Sequence, residues 1–77
     1  MTNLVFLFGM LAEVTGQDTI DMENVPDTDT IKSWLNSKYP SLKNCKYVVA
    51  VNKKIINENY KLNDGDEVSL LPPFAGG

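Results

Sequence analysis

The residues best suited to chemistry lie at the end of the chain, which reads PPFAGG over residues 72–77. The two prolines cannot donate hydrogen bonds to a sheet, so a preceding strand must end there, and they hold the chain extended. Ala75, Gly76 and Gly77 are thin enough to enter a tunnel that admits little more than backbone. The sequence therefore predicts an extended tail, residues 72–77, that delivers a carboxylate to a partner.

A carboxylate is a poor electrophile until it is activated, for example as a mixed anhydride with AMP. An activated glycyl carbonyl is unhindered and can accept sulfur or an amine, which makes Gly77 the candidate reactive residue. Phe74 offers one apolar anchor within the tail. The alternative is a frayed chain end without a function, because chain ends are usually poorly ordered.

The rest of the sequence lacks the side chains of common catalytic centres. It has one cysteine and no histidine, so zinc sites built on Cys and His spacing are excluded, as are Ser-His and Cys-His pairs. A single cysteine cannot form an internal disulfide, which indicates a reducing compartment. The apolar opening MTNLVFLFGMLAEV is too short to span a bilayer and lacks a positive leader. We predict a cytoplasmic protein without a membrane partner.

The charge argues against nucleic acid as a partner. The net charge is −3, whereas non-specific binding to phosphates needs a basic patch. The seven lysines are spread along the chain and do not form a basic run.

Two internal groups have chemical potential, but a structural role is the stronger interpretation of each. Cys45 lies between Lys43 and Lys46, whose charges could activate a thiol, yet no base accompanies it, so we expect a small filler at a loop or strand edge. The acidic residues of segment 64–67 lack the spacing of a calcium loop. A tight turn around Gly65 explains them without a metal, and a charged patch for a basic partner is the weaker functional use.

The first part of the chain predicts two strands and a short helix between them. The apolar run Asn3–Phe8 favours a central strand covered on both faces. Residues 10–16 form a short helix at best, flanked by glycines. Residues 18–23 alternate, with Ile20 and Met22 inward, and should pair antiparallel with the first strand.

The stretch PDTDTIKSWLNSKYP, residues 26–40, predicts the clearest helix. Thr28 or Thr30 could cap it, and Pro40 ends it. Helical spacing predicts that its packing face consists of Ile31, Trp34, Leu35 and Tyr39.

The second half predicts three strands and no further domain. Lys46–Asn52 is β-branched, a turn at Asn52 leads into a short strand from Ile55, and a turn at 63–66 precedes the last strand, Glu67–Leu71. The fold class is α+β, a sheet with one main helix on one face. The first and last strands are the most apolar, so we expect them side by side in the middle.

The stretches AVNKKIIN and KLNDGDEVSLLPPFAGG resemble the small subunit of molybdopterin synthase, the MoaD-type sulfur carrier of the ThiS/MoaD family. The opening LVFLFGMLAEVTG and the helix DTIKSWLNSKYP are similar to the same family, so the resemblance covers essentially the whole chain. The combination of DGDEV, a double proline and a terminal GG is its most specific part.

The resemblance implies a ubiquitin-like β-grasp fold, with residues 1–77 as a single sulfur-carrier domain. It implies that Gly77 is adenylated by a MoeB-type enzyme that uses ATP, and then converted to a thiocarboxylate. The tail enters the active site of a MoaE-type large subunit and gives up its sulfur, so that cyclic pyranopterin monophosphate becomes molybdopterin. The small subunit is then not an enzyme on its own and binds no cofactor, and the complex is a heterotetramer.

Family positions carry over to individual residues of the tail and the first strand. Gly77 bears the sulfur, and Gly76, Ala75 and Phe74 accompany it into the partner's active site. Phe8 and Pro73 match positions at the subunit interface, although Phe8 is equally a core residue by its pattern.

Three alternatives to this function stay open at the level of sequence. The ending AGG also occurs in ThiS-type carriers of thiamine synthesis, although these generally lack the double proline. A ubiquitin-like modifier would join Gly77 to target lysines. A plain interaction module would make no use of the tail.

Overall fold

The computed structural model describes residues 2–73, which form one sheet with helices on one side of it. The five strands are β1 (Thr2–Leu7), β2 (Thr19–Glu23), β3 (Val48–Val51), β4 (Lys54–Ile56) and β5 (Glu67–Leu71). The helices are α1 (Met10–Thr15), α2 (Thr28–Lys38) and a 3-10 helix, Pro40–Asn44. The 3-10 helix was not expected from the sequence, and β3 is shorter than the predicted Lys46–Asn52.

The strand order is β2-β1-β5-β3-β4. β1 pairs antiparallel with β2 and parallel with β5, so the first and last strands lie side by side in the interior, as predicted. β3 pairs antiparallel with both β5 and β4. A mixed sheet with one main helix confirms the predicted α+β class.

The core lies on the face of the sheet that carries the helices. Side chains from β1, β5, β3 and α2 meet there, and Val5, Val68, Leu70 and Leu35 are completely buried. Ile20 and Met22 of β2 point inward to the same core, which confirms the alternation seen in the sequence.

The expectation that β1 is covered on both faces is wrong. Its burial alternates: Asn3, Val5 and Leu7 are buried, whereas Leu4 is 38% exposed and Phe6 is only half-buried. The strand is interior because it pairs on both sides, but within residues 2–73 only one of its faces is covered. The apolar run therefore combines a core-facing set with an outward set.

The expected threonine cap of α2 is also wrong, because Asp27 occupies that position. The backbone N–H of Thr30 donates to Asp27 Oδ1 at 2.9 Å, and the Thr30 hydroxyl donates to the same oxygen at 2.6 Å. Thr28 is buried, and its hydroxyl accepts from the Tyr60 N–H at 3.0 Å. Thr28 thus ties the helix start to the segment before β5.

The packing face of α2 is narrower than predicted. Ile31 and Leu35 are 1% and 0% exposed, and Tyr39 packs partly buried against the core. Trp34, which was expected on this face, is 38% exposed, with the Lys38 ammonium 5.0 Å from its ring centroid. The prediction for Trp34 is therefore wrong.

Truncating Leu35 and truncating Trp34 should have very different effects. Leu35→Ala removes a completely buried side chain and should lower the free energy of unfolding by about 3 kcal/mol, since a cavity remains in the core. Trp34→Ala should lower it by only about 0.5 kcal/mol, because the ring is 38% exposed and lies outside the core cluster. Urea unfolding of both variants measures the difference, and equal losses would contradict the packing described for α2.

Candidate tail-exit and docking site

The root of the tail, Pro72 and Pro73, lies where the two interior strands end. β1 and β5 are parallel, so their carboxyl ends meet at the same edge of the sheet. The Phe8 N–H extends the pairing beyond β1 by donating to the Leu70 carbonyl at 3.2 Å. The start of the tail is consequently held beside the turn that leads from β1 into α1.

A groove of about 460 Å³ opens beside the tail root. We call it the exit groove; it is lined by residues 9–11, residues 44–46, Pro72 and Pro73, and its walls are mostly apolar. Three segments distant in sequence form it, so no local pattern could have predicted it. Its position makes the tail root part of a concave, apolar surface.

A second apolar surface lies on the side of the sheet that carries no helix within residues 2–73. We call it the open face; strand register and alternation place on it Leu4, Phe6, Val48, Ala50, Ile55 and Leu71, with Phe8 one position beyond β1. Leu4, Phe8 and Ile55 are 38%, 45% and 59% exposed, whereas Ala50 is only 3% exposed. Exposed apolar side chains gathered on one face are typical of a site that binds another protein.

Leu4, Phe6 and Leu71 are candidate docking residues that the sequence interpretation missed. The signal for them was the unbroken apolar run of β1 and the double leucine of β5. A strand with one face exposed to water normally alternates apolar and polar residues. A continuous run on such a strand therefore indicates that a partner covers the second face.

Acidic side chains flank the apolar part of the open face. Asp21 and Glu23 lie on β2 opposite Leu4 and Thr2, and Glu67 lies on β5 opposite Leu4. A partner with basic groups around an apolar centre would complement this surface.

The predicted site residues fall into two groups. Phe8 and Pro73 are both exposed, so the structure excludes a core role for Phe8 and leaves both free for an interface. Phe74, Ala75, Gly76 and Gly77 lie outside the described residues, and their roles remain predictions.

The surroundings of Cys45 are those of a packing residue. It follows the 3-10 helix, packs partly buried against the core, and its thiol lies 3.7 Å from the Ser41 carbonyl. It also lines the exit groove. This agrees with the expected filler at the edge of a loop.

The acidic segment before β5 is a hydrogen-bonded turn. The Asn63 N–H donates to Asp66 Oδ2 at 2.8 Å, and Asn52 Nδ2 donates to Asp66 Oδ1 at 3.0 Å. The Asn52 side chain also accepts from the Glu67 N–H at 3.0 Å. Buried Asn3 donates to the carbonyls of Asn63 and Asp66. The predicted turn is confirmed, and it fixes the register at which β5 begins.

These bonds favour the ionised form of Asp66. The backbone N–H of Asn63, followed by the Asn52 amide, lowers the pKa of Asp66 below its usual value.

Among residues 2–73, no group of three or more His, Cys, Asp or Glu side chains is arranged to hold a metal. In the same part of the chain, no helix is long and apolar enough to cross a membrane.

Comparison with known proteins places the chain in a family of carriers. The model of the ThiS family matches residues 5–77. The chain belongs to this family.

Individual relatives and solved structures within this range of similarity are more specific than the family model. The chain is 36% identical, over 95% of its length and 94% of the other's, to the molybdopterin synthase sulfur carrier subunit of Mycobacterium tuberculosis. Its fold is similar to that in the complex of subunits 1 and 2 of molybdopterin-converting factor from Helicobacter pylori, with a TM-score of 0.74, 29% identity and 100% of both chains covered. It is also similar to SAMP1 from Haloferax volcanii, with a TM-score of 0.78, 25% identity and 100% coverage of both chains. The fold is the ubiquitin-like β-grasp, as the sequence resemblance implied.

The role of Asp66 predicts an acid-sensitive contribution to stability. Its folded-state pKa is lowered, so ionised Asp66 stabilises the fold above the unfolded pKa of about 3.9, and this contribution is lost as the pH falls through the folded value. Asp66→Asn should therefore lower the urea midpoint at pH 7, and the gap from wild type should shrink below about pH 4.

Asp21→Asn is the matched control, since it changes the charge equally on the exposed surface of β2. Its urea midpoint should follow that of the wild type between pH 7 and the acid range. A gap between Asp66→Asn and wild type that stays constant down to the lowest pH would contradict the assignment.

Proposed function

We propose that this chain is a sulfur carrier and the small subunit of a molybdopterin synthase. The observation that carries the proposal is the position of the tail root: the innermost strand of the sheet, β5, runs directly into Pro72 and Pro73 beside an exposed apolar face. The family match continues through residue 77, which includes the whole predicted tail.

The names of the relatives favour this pathway over the alternatives. The relative from Mycobacterium tuberculosis is a molybdopterin synthase sulfur carrier subunit, and so is one from Escherichia coli that is 27% identical. Together with the double proline, this favours molybdopterin over thiamine synthesis. SAMP1 is a small archaeal modifier protein, and the likeness to it supports the fold; the relatives that are molybdopterin synthase sulfur carrier subunits favour the carrier role over a modifier role.

The chemistry proposed for Gly77 has two stages. An activating enzyme of the MoeB type uses ATP to convert the terminal carboxylate to an acyl adenylate, with release of pyrophosphate. A donor that supplies sulfur at the oxidation level of sulfide then attacks the acyl carbonyl, forms the C–S bond and displaces AMP, which leaves a thiocarboxylate. Within the synthase, this sulfur is transferred to cyclic pyranopterin monophosphate, and two such transfers build the dithiolene of molybdopterin. The chain supplies the sulfur but is not an enzyme by itself.

The partner in the transfer is a large subunit of the MoaE type. The open face offers an apolar centre for it, and the flanking carboxylates of Asp21, Glu23 and Glu67 suit a basic surface. A large subunit that binds a phosphorylated pterin would carry such basic groups. A cytoplasmic location and a heterotetramer of two small and two large subunits are further parts of the proposal.

Changes at the end of the tail should abolish sulfur transfer without affecting the fold. Deleting Gly77 removes the sulfur-bearing residue, and Gly77→Ala adds a methyl group where we expect little spare room in the tunnel. Both should reduce molybdopterin formation at least a hundredfold in a reconstituted assay with the large subunit and the activating enzyme.

Ser37→Ala, which places an alanine on the exposed surface of α2, is the control and should transfer sulfur at the wild-type rate. Undiminished transfer by the chain that lacks Gly77 would end the proposal.

Truncating Phe8 should weaken binding of the large subunit. Phe8 is 45% exposed at the junction of the open face and the tail root, and a central aromatic anchor is typically worth about 2 kcal/mol. Phe8→Ala should therefore raise the Kd about thirtyfold, as measured by calorimetry.

Trp34→Ala is the matched control for this experiment. It removes another partly exposed aromatic ring, but one carried by α2 on the opposite side of the sheet. It should leave the Kd unchanged, and an equal loss in both variants would contradict docking through the open face.

A further inference from the structure

The turn between β1 and α1 has a geometry that requires glycine. Gly9 has φ 58° and ψ −133°, and the Leu11 N–H donates to the Phe8 carbonyl at 3.1 Å across the turn. These are the features of a type II′ turn with Gly9 as its first central residue, a position that glycine dominates because φ is positive.

The same glycine lies against the root of the tail. A Cβ atom on Gly9 would lie 2.9 Å from Cγ of Pro72 and 3.7 Å from its Cδ. The first distance is too short for real Cβ atoms, so a side chain at position 9 would force the turn and the proline ring apart. The Pro72 ring therefore rests directly on the bare backbone of the turn.

This contact lies at the point where the tail leaves the sheet. β5 ends at Leu71, and Pro72 is the first residue beyond its ladder. Its ring fixes one backbone dihedral, so a small shift there changes the direction of everything that follows. The parallel pairing of β1 with β5 is what brings the turn and the proline together.

We propose that Gly9 is a positioning residue that sets the direction in which the tail leaves the body. By accepting the Pro72 ring in close contact, it aims the tail and its reactive terminus at the partner's active site. The expected effect on sulfur transfer rests on the proposed function, but the direction of the tail can be measured without any partner.

The first readout is sulfur transfer by the Gly9→Ala chain, loaded as its thiocarboxylate. The rate constant at saturating carrier should fall about tenfold or more, because misplacing a reacting group by about 1 Å costs up to about a hundredfold. The KM should change little, since docking through the open face is unaltered. A merely destabilised fold would not produce this division between the two constants.

Two further variants separate the contact from backbone strain. Gly16 also has positive φ, 73°, and a Cβ there would meet nothing within 4 Å, so Gly16→Ala tests a side chain at positive φ without a contact, at the αL ψ of 15° rather than at the ψ of −133° found for Gly9, and it should transfer sulfur within threefold of wild type. Pro72→Ala removes Cγ, and in that background the added effect of Gly9→Ala should shrink to less than threefold. Equal losses from Gly9→Ala in both backgrounds, or an equal loss from Gly16→Ala, would overturn the inference.

The second readout uses the free chain. Residual dipolar couplings of the Ala75, Gly76 and Gly77 amides, referred to those of the sheet, report the mean direction of the tail. They should change in Gly9→Ala and stay the same in Gly16→Ala; unchanged couplings in Gly9→Ala would overturn the inference. If the couplings change but wild type transfers no sulfur, the proposed function fails while the positioning role stands.

Discussion

The parallel pairing of β1 with β5 is the constraint on which the rest of the structure depends. It joins the first strand to the last across four registered residue pairs and places both in the interior of the sheet. Because the strands are parallel, the turn after β1 and the tail after β5 leave from the same edge. β5 is also paired with β3 on its other side, so the tail emerges from a strand held by two neighbours. Antiparallel pairing would have sent the turn and the tail to opposite edges.

Because side chains alternate along these strands, one face of each strand contributes to the core and the other face is available for docking. Inward residues such as Val5, Val68 and Leu70 are completely buried and hold the helices against the sheet. Outward residues such as Leu4 and Phe6 add nothing to that core. The proposed large subunit would cover the open face and account for their apolar character, so the same strands would serve both the core and the binding surface.

Much of the fold could be predicted from sequence because its patterns are local. The alternation of residues 18–23, the helix after Asp27 and the turn at 63–66 were each visible in a short stretch. The predictions were wrong where contacts between segments distant in sequence determine which residue caps a helix or faces the core. Asp27, rather than a threonine, caps α2 because Thr28 is drawn inward to bond the Tyr60 N–H. Trp34 shares helical spacing with Ile31, yet the sheet is covered by a narrower stripe.

The candidate site could be predicted only in part, for a related reason. The reactive role proposed for Gly77 rests on chemistry and position along the chain, and predicting it requires no knowledge of the fold. The exit groove does not, because residues 9–11, 44–46 and the two prolines meet only after the sheet has formed. The open face could be predicted in part. Its residues are apparent in the sequence as an apolar run, but the run alone does not show which face of the sheet remains uncovered.

The central claim is that the chain end carries sulfur, and C-terminal fragment mass spectrometry tests it most directly. The protein would be taken from the cells that make it and alkylated mildly, and the label would be localised, since Cys45 can also react. Whole-protein mass is insufficient because exchanging oxygen for sulfur weighs nearly the same as oxidising a methionine. The account predicts a labelled thiocarboxylate on Gly77. A bare carboxylate in every preparation, even with the activating enzyme, a sulfur donor and ATP supplied, would contradict it.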